Sequence, residues 1–456
     1  MLFILKERII PIVFFAYNIF LLAVISLFVG EPSIILIGLI GLITLLLCAK
    51  GIDDRTYRKL FITVLIAYSF MIFMYFGLIQ KNGIPYQGGD DELFEEYGNY
   101  IYNRGVRFFK DIPYIQGGWY AKGYYLIIAW IKRVSLWIGD YSTFSPRILN
   151  IYLWQAISVL MYKRLPGEID DRLKTRAFVV LATFPNALVI SSFVYRDVCV
   201  CFFVVIAVIS FETIIDENKR LARGIAKTVA SIICCGVSLY FLYYLRMQIC
   251  FVVLVILILK FFTGRSGLAN ISRKKKIFFT ILAFLVIVPV LYYTGGIKLL
   301  NLITDTYTSY RLEGTGGLSS KIFSVNLLPF GIILRFIYGL ATPFPGGLLV
   351  MDFSGEFIYS VLYTFVYLGT VFQLFLVPYL LKHVIRIDYA GLVFLAIFFS
   401  VIITTFTFRH FVMVYPFMME PIVVEYNNAS TATKNHYRYI TAGMLVMLAV
   451  LYLVVR

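Results

Sequence analysis

Along most of this chain apolar residues follow one another without the alternation of a half-buried strand or the narrow stripe of a surface helix, and short charged loops separate the blocks. Blocks of roughly 20 residues suit helices that cross about 30 Å of hydrocarbon. The pattern predicts spans near 9–29, 33–49, 61–79, 147–162, 177–194, 198–215, 228–245, 247–263, 277–294, 356–381, 391–408, 411–426 and 439–455. The expected fold is therefore an all-α polytopic integral membrane protein with about 13 crossings. Two stretches interrupt the rhythm. Residues 81–146 form a polar, aromatic-rich loop whose last part, Tyr120 to Ile138, is amphipathic and is expected to lie along the membrane surface as a juxtamembrane helix. Residues 295–355 form a second long loop, in which Leu328 to Ala341 is too short to cross and reads as a re-entrant element before Thr342-Pro343-Phe344-Pro345-Gly346-Gly347. The remaining parts are N-terminal spans over 1–80, a transmembrane core over 147–294 and C-terminal spans over 356–456.

Composition agrees: 61% of the 456 residues are hydrophobic and 14% are charged, far from the quarter or so typical of soluble domains. The net charge of +16 changes the picture only in its distribution. Basic residues gather in alternate short loops, such as Lys50, Arg55, Arg58 and Lys59, then Lys163, Arg164, Arg172, Lys174 and Arg176, then Arg273 to Lys276. This is the positive-inside pattern; it puts the N-terminus in the cytoplasm and the 81–146 loop outside, in the cell membrane, and it removes the reason to expect nucleic acid as a partner. Lys6 and Arg8 precede an apolar run with no small-x-small cleavage pattern, so the first span is expected to be retained. All six cysteines fall in apolar runs and read as small hydrophobes.

Candidate chemistry sits at the head of the first loop. Gly88 and Gly89 are followed by Asp90, Asp91 and Glu92. One carboxylate can cap the helix that starts there, and Asp90 is the candidate; Asp91 and Glu92 then remain for work on a substrate, a general base that removes a proton from a hydroxyl being one use. Counting crossings brings Arg196, Asp197, Arg246, Arg409 and His410, with Lys122, to the same outer level. A lone arginine there is most simply an interfacial anchor, but several at one depth opposite carboxylates form a holder for phosphate. The aromatics Trp119, Tyr120, Tyr124 and Tyr125 serve either as an interfacial belt or as sugar-stacking surfaces. His383, His436 and the sequon at Asn428 fall in loops assigned to the inner side, and no histidine-rich metal motif exists. No cofactor is expected; a divalent ion held by carboxylates stays open.

The acidic pair in the first large loop, Lys122-Gly123-Tyr124-Tyr125-Leu126, Arg147 to Leu153, Phe184-Pro185-Asn186, Ser191-Ser192, Arg196-Asp197 and, more weakly, Arg409-His410 with Pro416 and Pro421 occur in an order that resembles the GT-C membrane glycosyltransferases, the superfamily of protein O-mannosyltransferases and aminoarabinose transferases. The likeness covers roughly 80–215 with an echo near 409–421. It implies an inverting transfer of a sugar from a polyprenyl-phosphate-linked donor to a glycan or lipid-linked acceptor, with Asp91 as the catalytic carboxylate, Glu92 its neighbour, and Asp90, Lys122, Arg196, Asp197, Arg246, Arg409 and His410 binding substrate. The chain lacks the His-Pro-Pro that precedes the lysine in that family and carries two extra N-terminal spans. A polymerase of lipid-linked oligosaccharide repeats and a flippase or transporter of such lipids are the competing readings.

Overall fold

The computed structural model describes residues 2–113, 122–215, 217–264, 318–325, 330–350, 356–404 and 407–455. The span expected at 277–294, Trp119 and Tyr120 lie outside the described residues. Among those described the chain is helical and has no strand. Five of its helices hold a stretch long and apolar enough to cross a membrane: Ile9–Val29, Asp54–Asn82, Asp197–Ile215, Ile225–Lys260 and Phe357–Val384. The protein is thus a multi-pass helical membrane protein.

That number is smaller than the expected 13, and the helices themselves show why. α2 (Ser33–Ala49) and α14 (Tyr389–Thr404) are apolar but short. α6 (Phe144–Arg164) is long enough but polar along its length, with Arg147, Asn150, Gln155 and Ser158 all buried. It can be so because it does not face lipid. α2, α3 (Asp54–Asn82), α7 (Asp171–Ala182), α8 (Pro185–Ser191), α9 (Asp197–Ile215) and α15 (Tyr415–Asn428) all pack on it, making it the axis of the bundle. A helix enclosed by protein escapes the hydropathy that lipid demands.

The polar face of α6 has a specific task. The span expected at 177–194 is broken: α7 ends at Ala182, Pro185 opens α8, and the pair is bent by 48°. A proline cannot donate to the preceding turn, so carbonyls at the break lose their helical partners. α6 supplies replacements. Trp154 Nε1 and Gln155 Nε2 donate to the carbonyls of Leu181 and Ala182, each at 3.2 Å. At the far end of α8, Arg147 Nη1 donates to the Ser192 carbonyl at 3.1 Å, and Asn150 Nδ2 to those of Phe193 and Tyr195 at 2.9 and 3.0 Å. Irregular backbone at membrane depth is tolerated where protein satisfies it, as here.

The two spans expected at 228–245 and 247–263 form one helical run, α10 (Glu217–Gly264). It is not straight. Cys250 Sγ lies 3.5 Å from the carbonyl of Leu239, eleven residues earlier, whereas a straight helix would part them by about 16 Å. The run therefore doubles back near residue 245 without a loop, and it packs along α9. No glycine or proline marks that place; the charge of Arg246 does.

α4 (Asp90–Asn103) and α5 (Lys122–Ser135) cover one end of the bundle. The amphipathic stretch expected to lie on the surface is instead largely buried, from Gly123 to Ala129, between α4, α2 and the doubled α10. The remaining labelled helices are α1 (Leu2–Val29), α11 (Leu318–Phe323), α12 (Ile332–Leu340), α13 (Phe357–Val384) and α16 (Thr431–Val455). α12 falls within the expected re-entrant stretch and is only 9 residues long, too short to span.

Two predictions follow from this architecture. Asn150→Leu leaves the carbonyls of Phe193 and Tyr195 buried and unpaired, and should cost about 1 to 3 kcal/mol for each; thermal unfolding of the purified protein in detergent measures it, and an unchanged midpoint contradicts the account of α6. The charge pattern sets the orientation. With the exposed Cys234 replaced by alanine, an impermeant thiol reagent on intact cells should label Gly88→Cys and leave Gly167→Cys unlabelled; the reverse pattern inverts the topology.

Candidate functional site

Gly88 and Gly89 adopt φ of +144° and +27°, values that side-chain-bearing residues avoid, and so turn the chain sharply into α4. No side chain caps α4; its N-cap is Gly89 and Asp90 is already inside the helix. The expected cap role of Asp90 is therefore not what the structure has. The residue that holds the turn is Asp91. Fully buried, it accepts the backbone N–H groups of Gln87 at 3.0 Å and Gly88 at 3.3 Å. Burial pushes its carboxyl above the usual range, while the nearby Arg147 charge and those amides pull the other way. Arg147 also donates to the Pro85 carbonyl at 2.6 Å, so α6 fixes both ends of the same turn.

Glu95, one turn further along α4, is a second fixed point that sequence reasoning missed. Its carboxylate accepts from the hydroxyls of Tyr86 and Tyr141 and from Thr143 Oγ1, the last at 2.6 Å. Three hydroxyl donors on one buried carboxylate bind the start of α4 to the start of α6. What marks it in the sequence is only its spacing, four residues after Asp91 on the face that also carries Phe94 and Ile101.

This frame leaves Asp90 free to reach outward. Its side chain is 54% exposed and is ion-paired with Arg409. Arg409 belongs to the short 3-10 helix Phe408–Met413, and its Nε is also 3.8 Å from Asp197 Oδ2. Asp197, at the first turn of α9 and wholly buried, takes Arg246 Nη1 at 3.1 Å and stands 3.5 Å from His410 Nε2. Tyr195 closes the group: Arg409 lies over its ring at 5.3 Å and its hydroxyl donates to Gln87 Oε1 at 3.1 Å.

Five of the nine candidate residues thus form one network, Asp90, Arg409, Asp197, Arg246 and His410, drawn from four parts of the sequence. Arg196 adjoins it. Its Nη1 donates at 3.2 Å to the carbonyl of Leu245, where α10 doubles back. Lys122 opens α5 beside that same bend, for Gly123 packs so closely on it that a Cβ there would stand 2.6 Å from the Tyr244 carbonyl oxygen. Glu92 points away into solvent and joins none of these contacts. Arg196, Arg246 and Arg409 stand with Asp90 and Asp197 at this end of the bundle, above the turn that holds Arg147, Asp91 and Glu95. An arrangement of this kind can hold a phosphate against a low-dielectric wall while one exposed carboxylate remains at its edge.

A second ionic cluster lies at the opposite end, about 25 Å along α6 from Arg147. Arg164 pairs with Glu212 at 2.9 Å and Glu420 at 2.6 Å, and the buried Glu425 receives Lys382, Arg386 and His383. Each buried carboxylate there is matched by cations. The signal in the sequence is three glutamates, Glu212, Glu420 and Glu425, set inside apolar runs. An apolar cavity of about 310 Å³ between α7, α13 and α15, with Arg176 among its lining residues, touches none of the nine candidate residues. Among the described residues no three His, Cys, Asp or Glu side chains are grouped to hold a metal ion.

Asp91→Asn puts an amide NH₂ where the Gln87 N–H needs an acceptor. The turn should loosen, with a loss of about 1 to 3 kcal/mol of stability read by thermal unfolding; a variant as stable as the parent would show that the turn does not depend on this carboxylate.

No family model matches this chain, and no curated protein or solved structure matches it.

Proposed function

We propose that this protein is a membrane glycosyltransferase that moves a sugar from a polyprenyl-phosphate-linked donor to an acceptor hydroxyl of a glycan or lipid at the outer face of the cell membrane. The observation that carries the reading is the exposed Asp90 carboxylate paired with Arg409, which in turn meets the buried Asp197 alongside Arg246. The order of motifs that resembles the GT-C superfamily supports the same reaction class.

Asp90 suits the base better than Asp91, whose lone pairs are taken by backbone amides and whose side chain has no access to solvent. In the free protein Arg409 holds Asp90. A lipid phosphate arriving at the arginines competes for Arg409 and releases the carboxylate. The acceptor hydroxyl then gives its proton to Asp90 while its oxygen attacks the anomeric carbon from the side opposite the phosphate. The carbon–oxygen bond to phosphate breaks, and the negative charge gathers on the departing polyprenyl phosphate. Arg409 and Arg246, held in place by Asp197, meet that charge as it grows, which lowers the barrier without reorganisation at the moment of reaction. Inversion at the anomeric carbon follows from a single displacement.

A general base contributes typically about 10²- to 10⁴-fold. Asp90→Asn should lose transfer by that order in reconstituted protein supplied with a radiolabelled polyprenyl-phosphate sugar, while thermal stability stays near the parent's and donor binding is as tight or tighter, because Arg409 no longer has to leave a carboxylate. Full transfer by Asp90→Asn removes the residue from the mechanism. A flippase is favoured by one observation, the broken pair α7 and α8, since discontinuous helices are common in transporters. Under that reading the parent itself moves labelled lipid across vesicles and shows no transfer to any acceptor.

A further inference from the structure

The buried charges of the two ionic clusters all have a partner of opposite charge or a carbonyl; Arg335 does not share this. It lies on α12 and is 2% exposed. Its Nε and Nη1 are shut away from solvent and have no hydrogen-bond acceptor among the described residues. What it has is the face of Phe323, with the guanidinium carbon 4.1 Å from the ring centre. One cation–π contact returns much less than the desolvation of a guanidinium costs. Arginine also resists the escape open to a buried lysine, which sheds its proton.

The surroundings indicate what completes it. Gly339, one turn later on the same face of α12, packs against Phe398 and Ile402 of α14 and against Phe411, the neighbour of His410. The buried face of α12 therefore lies beside the 3-10 helix that carries Arg409. The other face, with Ile333, Leu334 and Ile337, is exposed and apolar, as suits contact with hydrocarbon. Arg335 thus has no counter-charge among the described residues, on a helix whose next turn packs against Phe411 and whose opposite face is apolar and exposed.

We propose that Arg335 anchors a second anion-binding site that takes a phosphate group. A guanidinium gives phosphate oxygens charge-assisted N–H bonds, and the unused Nε and Nη1, on opposite edges of the group, each offer one. The inference concerns binding alone and stands whether or not the protein transfers sugar.

The test is read as a difference between proteins in an Arg409→Gln background, which weakens phosphate binding at the other network while Arg246 stays paired with Asp197. Binding of geranylgeranyl phosphate, of inorganic phosphate and of the uncharged geranylgeraniol is measured on the purified full chain in detergent, for Arg335, Arg335→Met and Arg335→Lys. Arg335→Met should bind phosphate about 10- to 100-fold more weakly. Without ligand it should unfold at the same temperature or higher, because an apolar side chain of similar length removes an uncompensated charge. Arg335→Lys should bind at an intermediate level. A loss confined to geranylgeranyl phosphate identifies a lipid headgroup, and an equal loss for inorganic phosphate identifies a free anion. Equal binding by all three proteins, no binding of either phosphate to the Arg335 protein, or a lower unfolding temperature for unliganded Arg335→Met overturns the proposal.

Discussion

The Asp197 carboxylate is the point on which one end of this bundle depends. It is buried at the start of α9, and it is shared by Arg246 from the bend of α10 and by Arg409 and His410 from the 3-10 helix. Removing one partner from such a group strands charge in a low dielectric, which is far costlier than the net worth of any single pair. Three chain segments that have no covalent reason to meet are therefore held in one register. The glycine turn and Asp90 come to the same place from a fourth direction, positioned by Asp91 and Glu95 underneath.

Much of this was legible in the sequence, and for identifiable reasons. Charges at the ends of apolar runs are expensive, so Arg196, Asp197, Arg246, Arg409 and His410 advertised a shared level without any knowledge of packing. Arg246 even marked the reversal in α10, where composition gives no turn residue. What the sequence could not separate was Asp90 from Asp91. Adjacent residues on a helix start differ by about 100° in direction, and only the position of α6 decides which one is turned inward. What covers the helix over Lys122–Ser135 was hidden for a related reason: its apolar face reads the same whether it meets lipid or α10.

α6 shows the limit of hydropathy most clearly. Its polar residues suggest a poor span when counted, yet they serve the carbonyls released by the break between α7 and α8 and by the start of α9. The second cluster, around Arg164 and Glu425, extends the same principle to the other end of the helix. Carboxylates within apolar runs signalled it, but their partners come from helices far apart in the chain, and pairing of that kind leaves no local trace.

The reversal in α10 has a consequence for how the gene can change. Elsewhere in a helical membrane protein the connection between two spans is a loop, where insertions, tags and drifting lengths are absorbed at little cost. Here the connection consists of residues whose side chains and carbonyls are already committed: Leu245 to Arg196, and Arg246 to Asp197. An epitope or reporter spliced between Tyr244 and Met247 would have no slack to occupy. This position, like the breaks on either side of α8, should thus tolerate little length variation, despite lying at the rim of the bundle, where sequence comparison would ordinarily look for gaps.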